Sequence, residues 1–321
     1  MADCAILSAR TSLKVSHMRI HSPAIRYFDA VRKAGSIREA ARRLNVASSA
    51  VNRQILKLEA ELGTPLFERL PGGLKLSSAG EVLTRHVAIV LRDAERARSE
   101  LDALKGIKTG RVEIVAVEGL SGDFLPQVIG RMLQEHSRVR IKVMSAGSLN
   151  VPAAVINGDV DLGMAFSLPR NPELHQLGVG RFHLGAVVTP DHPLAGRKRV
   201  RIADCADFPL IMSDAQLSIR TLMHPIIVHS GRAITPTIEA NSIELMKNLA
   251  KRNLGIAFMS RIGLEQEIRD GQLVHVPLED RGPVFTELGL YMRANASLPV
   301  AVDAFVQIAI AEIQRRAKEE E

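Results

Sequence analysis

The sequence predicts an α/β chain in three parts: a small winged helix-turn-helix, one long helix, and a two-lobed α/β domain of the periplasmic-binding-protein kind. Three observations predict it. Residues 36–62 read as two short helices broken by a turn. Leu83, Val87, Val90, Ala94, Ala97, Leu101 and Leu104 follow an unbroken alternating spacing of four and three. From Arg111 onward, short apolar runs alternate with amphipathic segments, as strands and helices do in an α/β domain.

The N-terminal module comes first. Pro23 to Ala34 reads as a helix with Ile25, Phe28 and Val31 on one face, stopped by Gly35. Ser36 and Glu39 have capping-box spacing and open a second helix, with Ala40, Ala41 and Leu44 as its apolar face. Asn45 and Val46 break it. A third helix runs from Ser48 to Leu62, with Val51, Ile55, Leu58 and Leu62 as the expected buried stripe. Ser49, Asn52, Arg53 and Lys57 point the other way, a set suited to a helix that enters a DNA major groove by its N-terminal end. After Gly63, the run 66–76 reads as strand, turn and strand: a wing carrying Arg69 and Lys75. Lys75 is expected to meet phosphate, and Arg69 to pair with Glu68. An ordinary helical hairpin with a solvated charged face is the competing reading of this stretch.

Charge decides between them. From Arg32 to Lys57 the cations are Arg32, Lys33, Arg38, Arg42, Arg43, Arg53 and Lys57, and the only acid is Glu39. Residues 1–110 hold 19 Lys and Arg against 11 Asp and Glu, whereas residues 111–321 hold 23 against 24. All of the net charge of +7 therefore sits in the first third, as in a nucleic-acid reader joined to a neutral domain with another task. Aromatic residues make up 3% with no Trp, which argues against stacking platforms for single strands.

The long helix opens at Ser78, which forms a second capping box with Glu81, and runs to Leu104. Its a/d seam covers about three heptads, and pairing with the same helix of a second copy is the simplest way to bury it. Packing on its own domain is the alternative. Residues 106–110 read as a linker. The α/β part spans 111–316, with lobe 1 at about 111–182 and 286–316 and lobe 2 at about 183–285. The crossing is expected near 181–190.

Cys4 and Cys205 are the only cysteines, so neither a disulfide framework nor a thiolate metal site is expected, and a reducing cytoplasm fits. No apolar run approaches the ~20 residues of a membrane span. Residues 1–19 read as a disordered tail, with Met18 a candidate initiator. No H-E-x-x-H, G-x-S-x-G or Walker pattern occurs, and no catalytic, metal or cofactor residues are expected. Asp159 and Asp161 read as solvent-facing turn residues.

The stretch GSIREAARRLNVASSAVNRQILKLEAELGTPLFERL, followed by LKLSSAG, resembles the signature of the LysR-type transcriptional regulators in order and spacing. The resemblance covers about residues 20–316; NGDVDLGMAF, residues 157–166, is similar to the co-inducer domain of that family. It implies a bacterial homo-oligomer, a dimer or commonly a tetramer. Its partners would be double-stranded promoter DNA, a small-molecule effector and, as an open option, RNA polymerase, with no membrane. It assigns residues 20–77 to DNA binding, with the helix-turn-helix at about 37–56, and 78–105 to dimerisation. Ser49, Asn52 and Arg53 fall on the base-reading helix; Lys57 is placed for phosphate. Gly72 stands where the wing often carries a basic residue. Ala47 stands where a capping Ser is common, which passes that role to Ser48.

In α/β lobes, ligands sit outside the carboxyl ends of strands. The loops holding Ser121, Ser148 and Asn241-Ser242 each open a helix there, and helix starts of this kind suit a small anionic metabolite. The same residues also read as plain N-caps. Two other classes compete with a regulator. A solute-binding protein would leave the basic first third without a use, and a two-lobed enzyme would need a titratable constellation.

Overall fold

The computed structural model describes residues 22–104, 110–215 and 217–320. The expected tail with Cys4 and Met18, and the expected linker at 106–109, lie outside them. The chain divides into two compact units, residues 1–83 and 84–321.

In the first unit, α1 (Pro23–Ala34) buries Phe28 and Val31 and ends at Gly35 in the left-handed conformation, φ 65°. Helix α2 (Ile37–Leu44) starts with Ser36 accepting the Glu39 N–H at 3.1 Å. The Glu39 carboxylate does not complete the expected capping box. It takes hydrogen bonds from Arg42 and Arg43 at 2.9 Å, which hold it at a pKa of about 2. Helix α3 (Ser48–Leu62) buries Val51 and Ile55. Leu62, expected in the stripe, is 48% exposed. Strands β1 (Phe67–Leu70) and β2 (Gly73–Leu76) pair antiparallel as the wing. The Leu74 N–H donates to the Gly35 carbonyl at 2.8 Å, and a Cβ on Gly73, at φ 132°, would stand 2.8 Å from the same oxygen. Glycine is what lets the wing close onto the α1–α2 turn.

Helix α4 (Ser78–Leu104) is 27 residues long, so it reaches ~40 Å. Ser77, rather than Ser78, caps it: its Oγ accepts the Gly80 N–H at 3.1 Å. The expected seam is partly covered within the chain. Val87 is 1% and Ala88 5% exposed. Ala88 abuts Gly158, where a Cβ would lie 2.4 Å from its own. Arg92 donates to Asp161 at 2.7 Å and to the Val160 carbonyl. Asp161 is therefore a docking residue and not a solvated turn residue; burial raises its pKa against the pull of Arg92. Leu83, Val90, Ala94 and Ala97 are half-buried, and Leu101, Val82 and Ile89 are exposed. The side chain of Leu104 lies outside the described residues.

The second unit begins with β3 (Gly110–Ala116), α5 (Phe124–Glu135), β4 (Val139–Ser145), α6 (Val151–Ile156) and β5 (Leu162–Phe166). Strands β4, β3 and β5 are parallel neighbours, which forms lobe 1. Then come β6 (Leu174–Val188), α7 (Ile202–Cys205), β7 (Leu210–Ser213), α8 (Ser218–His229) and β8 (Ile238–Ala240). Helix α9 (Ile243–Lys251), β9 (Ile256–Ser260), α10 (Glu265–Arg269) and β10 (Val274–Pro277) complete lobe 2, with β9, β7 and β8 parallel. Strand β11 (Phe285–Arg293) and α11 (Val300–Lys318) return to lobe 1.

Strand β6 belongs to both lobes. Its first part pairs with β11, and its last residues pair with β9 and β10. The crossing falls between His183, the last residue paired with β11, and Leu184, the first paired with β9, within the 181–190 stretch read from the sequence; the strand itself begins upstream, at Leu174. Gly178 and Gly180 there let Ile310 and Ile313 of α11 come close.

Ion pairs tie the lobes. Arg316 on α11, 4% exposed, bonds Asp123 at 2.8 Å, Glu265 at 2.6 Å and Glu312 at 2.5 Å. Arg269 of lobe 2 reaches Asp123 at 3.1 Å. Beyond α11, the Glu320 carboxyl accepts the His183 N–H at 2.5 Å; burial raises its pKa to about 7. Burial also lowers the buried His275 to about 4. Between pH about 4.5 and 6.5 these two groups oppose each other. The unfolded chain takes up the histidine proton, so His275 lowers stability as pH falls. The folded chain takes up the Glu320 proton, which raises stability as pH falls. Glu320→Gln is therefore expected to lose stability between pH 6.5 and 4.5 more steeply than the wild type, as urea titrations across that range would show.

Candidate functional site

Two sites follow from this architecture, one in each unit. In the first, α3 presents Ser48, Ser49 and Arg53 exposed and Asn52 half-buried, with Val51 and Ile55 holding the opposite face in the core. Its N-cap is Ala47, and no side chain caps its first turn, so Ser48 does not take over that role. The first-turn N–H groups remain available to an anion. The cationic strip is smaller than the sequence count suggests. Arg32 and Lys33 pair with Asp29, Arg42 and Arg43 with Glu39, and Lys57 with Glu61 at 3.7 Å. Local i,i+3 and i,i+4 partners neutralise them. Arg38 and Arg53 are exposed and make no ion pair among the described residues. In the wing, Lys75 stands across from Glu68, and Arg69 across from Leu74. Arg69 is not ion-paired with Glu68 in the described structure.

The second site is a cleft of about 770 Å³ between the lobes, at the carboxyl ends of β3, β4, β7, β8 and β9. Ser121, Ser148 and Asn241 line it, as the sequence suggests. Ser242 does not. Its Oγ caps α9 by accepting the Leu245 N–H at 3.2 Å and donates to Glu118 at 3.0 Å. Sequence reasoning missed Ser218, whose Oγ meets that of Ser148 across the cleft at 3.4 Å. Helix α8 opens there without a side-chain cap. It also missed Glu118, whose other carboxylate oxygen accepts the Ile243 N–H at 2.9 Å. The floor is apolar, with Phe166, Met259 and Ile262 among its residues. Arg220, on α8, pairs with Glu239 at 3.4 Å.

Backbones meet at one edge of the cleft. Gly263 has φ 92°, and a Cβ there would lie 2.1 Å from the Gly119 carbonyl of the other lobe. Cys205 is buried and its thiol is pushed up to about 12, so it is an unreactive core residue. Among the described residues no cluster of three His, Cys, Asp or Glu could hold a metal ion, and no helix is long and apolar enough to cross a membrane.

The two-site layout matches a known family. Residues 23–81 match the bacterial regulatory helix-turn-helix protein model of the lysR family, and 105–314 match the LysR substrate binding domain. The chain belongs to the LysR family. It is a LysR-type transcriptional regulator with an effector-binding domain, and not an enzyme. The RuBisCO operon transcriptional regulator of Allochromatium vinosum is 26% identical over 298 residues, covering 93% of this chain and 98% of that protein. Among solved structures, a cysteine-to-aspartate variant of full-length OxyR from Pseudomonas aeruginosa has a TM-score of 0.72 at 15% identity, over 93% of this chain and 96% of that one. The effector binding domain of QuiR in complex with shikimate has a TM-score of 0.54 at 16% identity, over 64% of this chain and 98% of that one. At such identities the likeness is one of fold.

Gly263→Ala tests how tightly the lobes are held at the cleft edge. A side chain at that φ and that approach is expected to cost about 1–3 kcal/mol or more, read as a lower urea midpoint at unchanged slope.

Proposed function

We propose that this LysR-family chain binds double-stranded promoter DNA as a dimer or tetramer, and that a small metabolite bearing an acid group, seated in the interlobe cleft, alters that binding. The observation that carries the first half is the α3 face. Ser49, Asn52 and Arg53 supply short and bidentate hydrogen-bonding groups for base edges. Arg38, Ser48, Lys57 and Lys75 surround it as phosphate contacts, Lys57 by giving up its long, exposed pair with Glu61. The uncapped α3 start suits a further phosphate.

The oligomer forms through α4. Leu83, Val90, Ala94, Ala97 and Leu101 remain for a partner helix, joined by the exposed Val82 and Ile89; Val87 is already covered. Two recognition helices of a dimer then meet half-sites about one helical turn, or a multiple of it, apart.

For the effector, the support is the pairing of Ser148 and Ser218 beside the uncapped start of α8. Two hydroxyls and a helix start can hold one carboxylate. Ser121 and Asn241 line the same cleft and are available to the rest of the ligand. The QuiR domain, similar in fold, binds shikimate, an acid. RNA polymerase is a further partner consistent with promoter binding.

The test of the DNA half is a gel-shift titration on promoter fragments in a salt series. Log affinity should fall steeply with log salt, about 0.9 per phosphate contacted. Arg53→Ala should weaken specific binding by roughly 1–3 kcal/mol, and unchanged affinity would refute the assignment. The cleft half is tested with Ser121→Trp, which fills the cleft. This variant should bind DNA normally and lose the response to any metabolite that modulates the wild type.

A further inference from the structure

The cleft contains a carboxylate of its own. Glu118 leaves the end of β3 in lobe 1 and crosses to the start of α9 in lobe 2. There Oε1 accepts from Ser242 Oγ at 3.0 Å and Oε2 accepts from the Ile243 N–H at 2.9 Å. Ser242 Oγ in turn accepts from Leu245 N–H. The first turn of α9 is thus occupied by side chains, one of them an anion supplied from the opposite lobe. A helix start is a natural seat for a ligand anion. In this cleft that seat is taken.

The rest of the lining gives an incoming anion no countercharge. Glu118 is the only charged side chain among the described lining residues, and no Lys, Arg or His joins it. The other polar groups are hydroxyls, amides and backbone. Among the described helices of eight residues or more whose own first residues line the cleft, α9 is capped by Ser242 and α8, beside Ser148 and Ser218, has no side-chain cap. One carboxylate can be met there. A second, brought next to Glu118, would face a like charge in a partly apolar space where repulsion is strengthened.

We propose that Glu118 determines effector specificity: it holds the α9 start as a resident anion, so the ligand turns its single acid toward α8 and presents a hydrogen-bond donor, a hydroxyl or an ammonium, to Glu118. Dicarboxylates and phosphomonoesters are turned away. This deepens the reading of the cleft as the effector site and rests on it. The unoccupied acceptor capacity of Glu118 serves the donor, since each carboxylate oxygen has a second lone pair beyond the bond already made.

The full-length chain carries the test, in two arms. Sodium formate is titrated against sodium chloride at matched ionic strength, and the unfolding midpoint is read for wild type, Glu118→Ala and Glu118→Gln. Formate should fill the seat vacated in Glu118→Ala and raise its midpoint at least three-fold more than that of the wild type. Glu118→Gln, which keeps a side chain at the α9 start, should respond as the wild type does. Equal responses of wild type and Glu118→Ala overturn the proposal. The second arm uses 3-hydroxybenzoate and isophthalate, the same ring with a donor or a second acid. Wild type should bind the first at least ten-fold tighter, and Glu118→Gln should narrow that ratio below three-fold. Equal affinities in the wild type, or an unchanged ratio in the variant, overturn it. The two readings fail separately. A metabolite response that survives Ser121→Trp sinks the cleft as effector site while the formate contrast stands. A missing formate contrast sinks the role of Glu118 while the cleft stands.

Discussion

The shared strand β6 is the constraint on which the regulatory unit depends. Residues 174–188 are one continuous strand, bonded to β11 at its start and to β9 and β10 at its end. Two mixed sheets therefore hang from one backbone, and the carboxyl ends of their parallel strands face each other across a gap. A ligand between them need not assemble the site. It has only to settle in a gap whose width is set by β6 and the ties across it.

Those ties are few and polar. Arg316 gathers carboxylates from both lobes in a buried position, Glu118 reaches the start of α9, and the hydroxyls of Ser148 and Ser218 touch. Hydrogen-bonded ties of this kind have defined geometry and modest net strength. By contrast, each lobe has its own apolar core, with Phe124, Phe182 and Phe305 fully buried in lobe 1 and Phe258 in lobe 2.

Helix α4 links this unit to the DNA-binding module through the chain itself. Arg92 fastens it to Asp161 and Val160 at the edge of β5, and Ala88 lies on Gly158. A glycine and a short alanine side chain permit close approach, and a charged pair fixes the rotation of the helix about its axis. The helix is thus docked by a face beside the heptad seam, and of the described seam side chains Val87 is the buried one.

By itself the sequence determined what depends on neighbours along the chain. The capped helices of the first unit, the wing, the 27-residue helix and the alternation of strands and helices were all legible, because caps, turns and i,i+4 faces are local. Local reading also overcounted: it took Arg42, Arg43 and Lys57 as unopposed cations, although their partners lie three or four residues away, and it placed the caps of α3 and α4 one residue off. Ser121, Ser148 and Asn241 were found as strand-end residues ahead of helices. What only the tertiary structure decided joins residues far apart in the chain. Glu118 meets Ile243 across 125 positions, Arg92 meets Asp161 across 69, and Ser148 meets Ser218 across 70. No periodicity encodes such pairs. The pairs made by Glu118 and Ser148 exist because β6 brings two sheets to one gap, and that of Arg92 because α4 packs beside the start of β5; at the gap a residue with no distinguishing local pattern, Glu118, becomes the one charged side chain on the described lining.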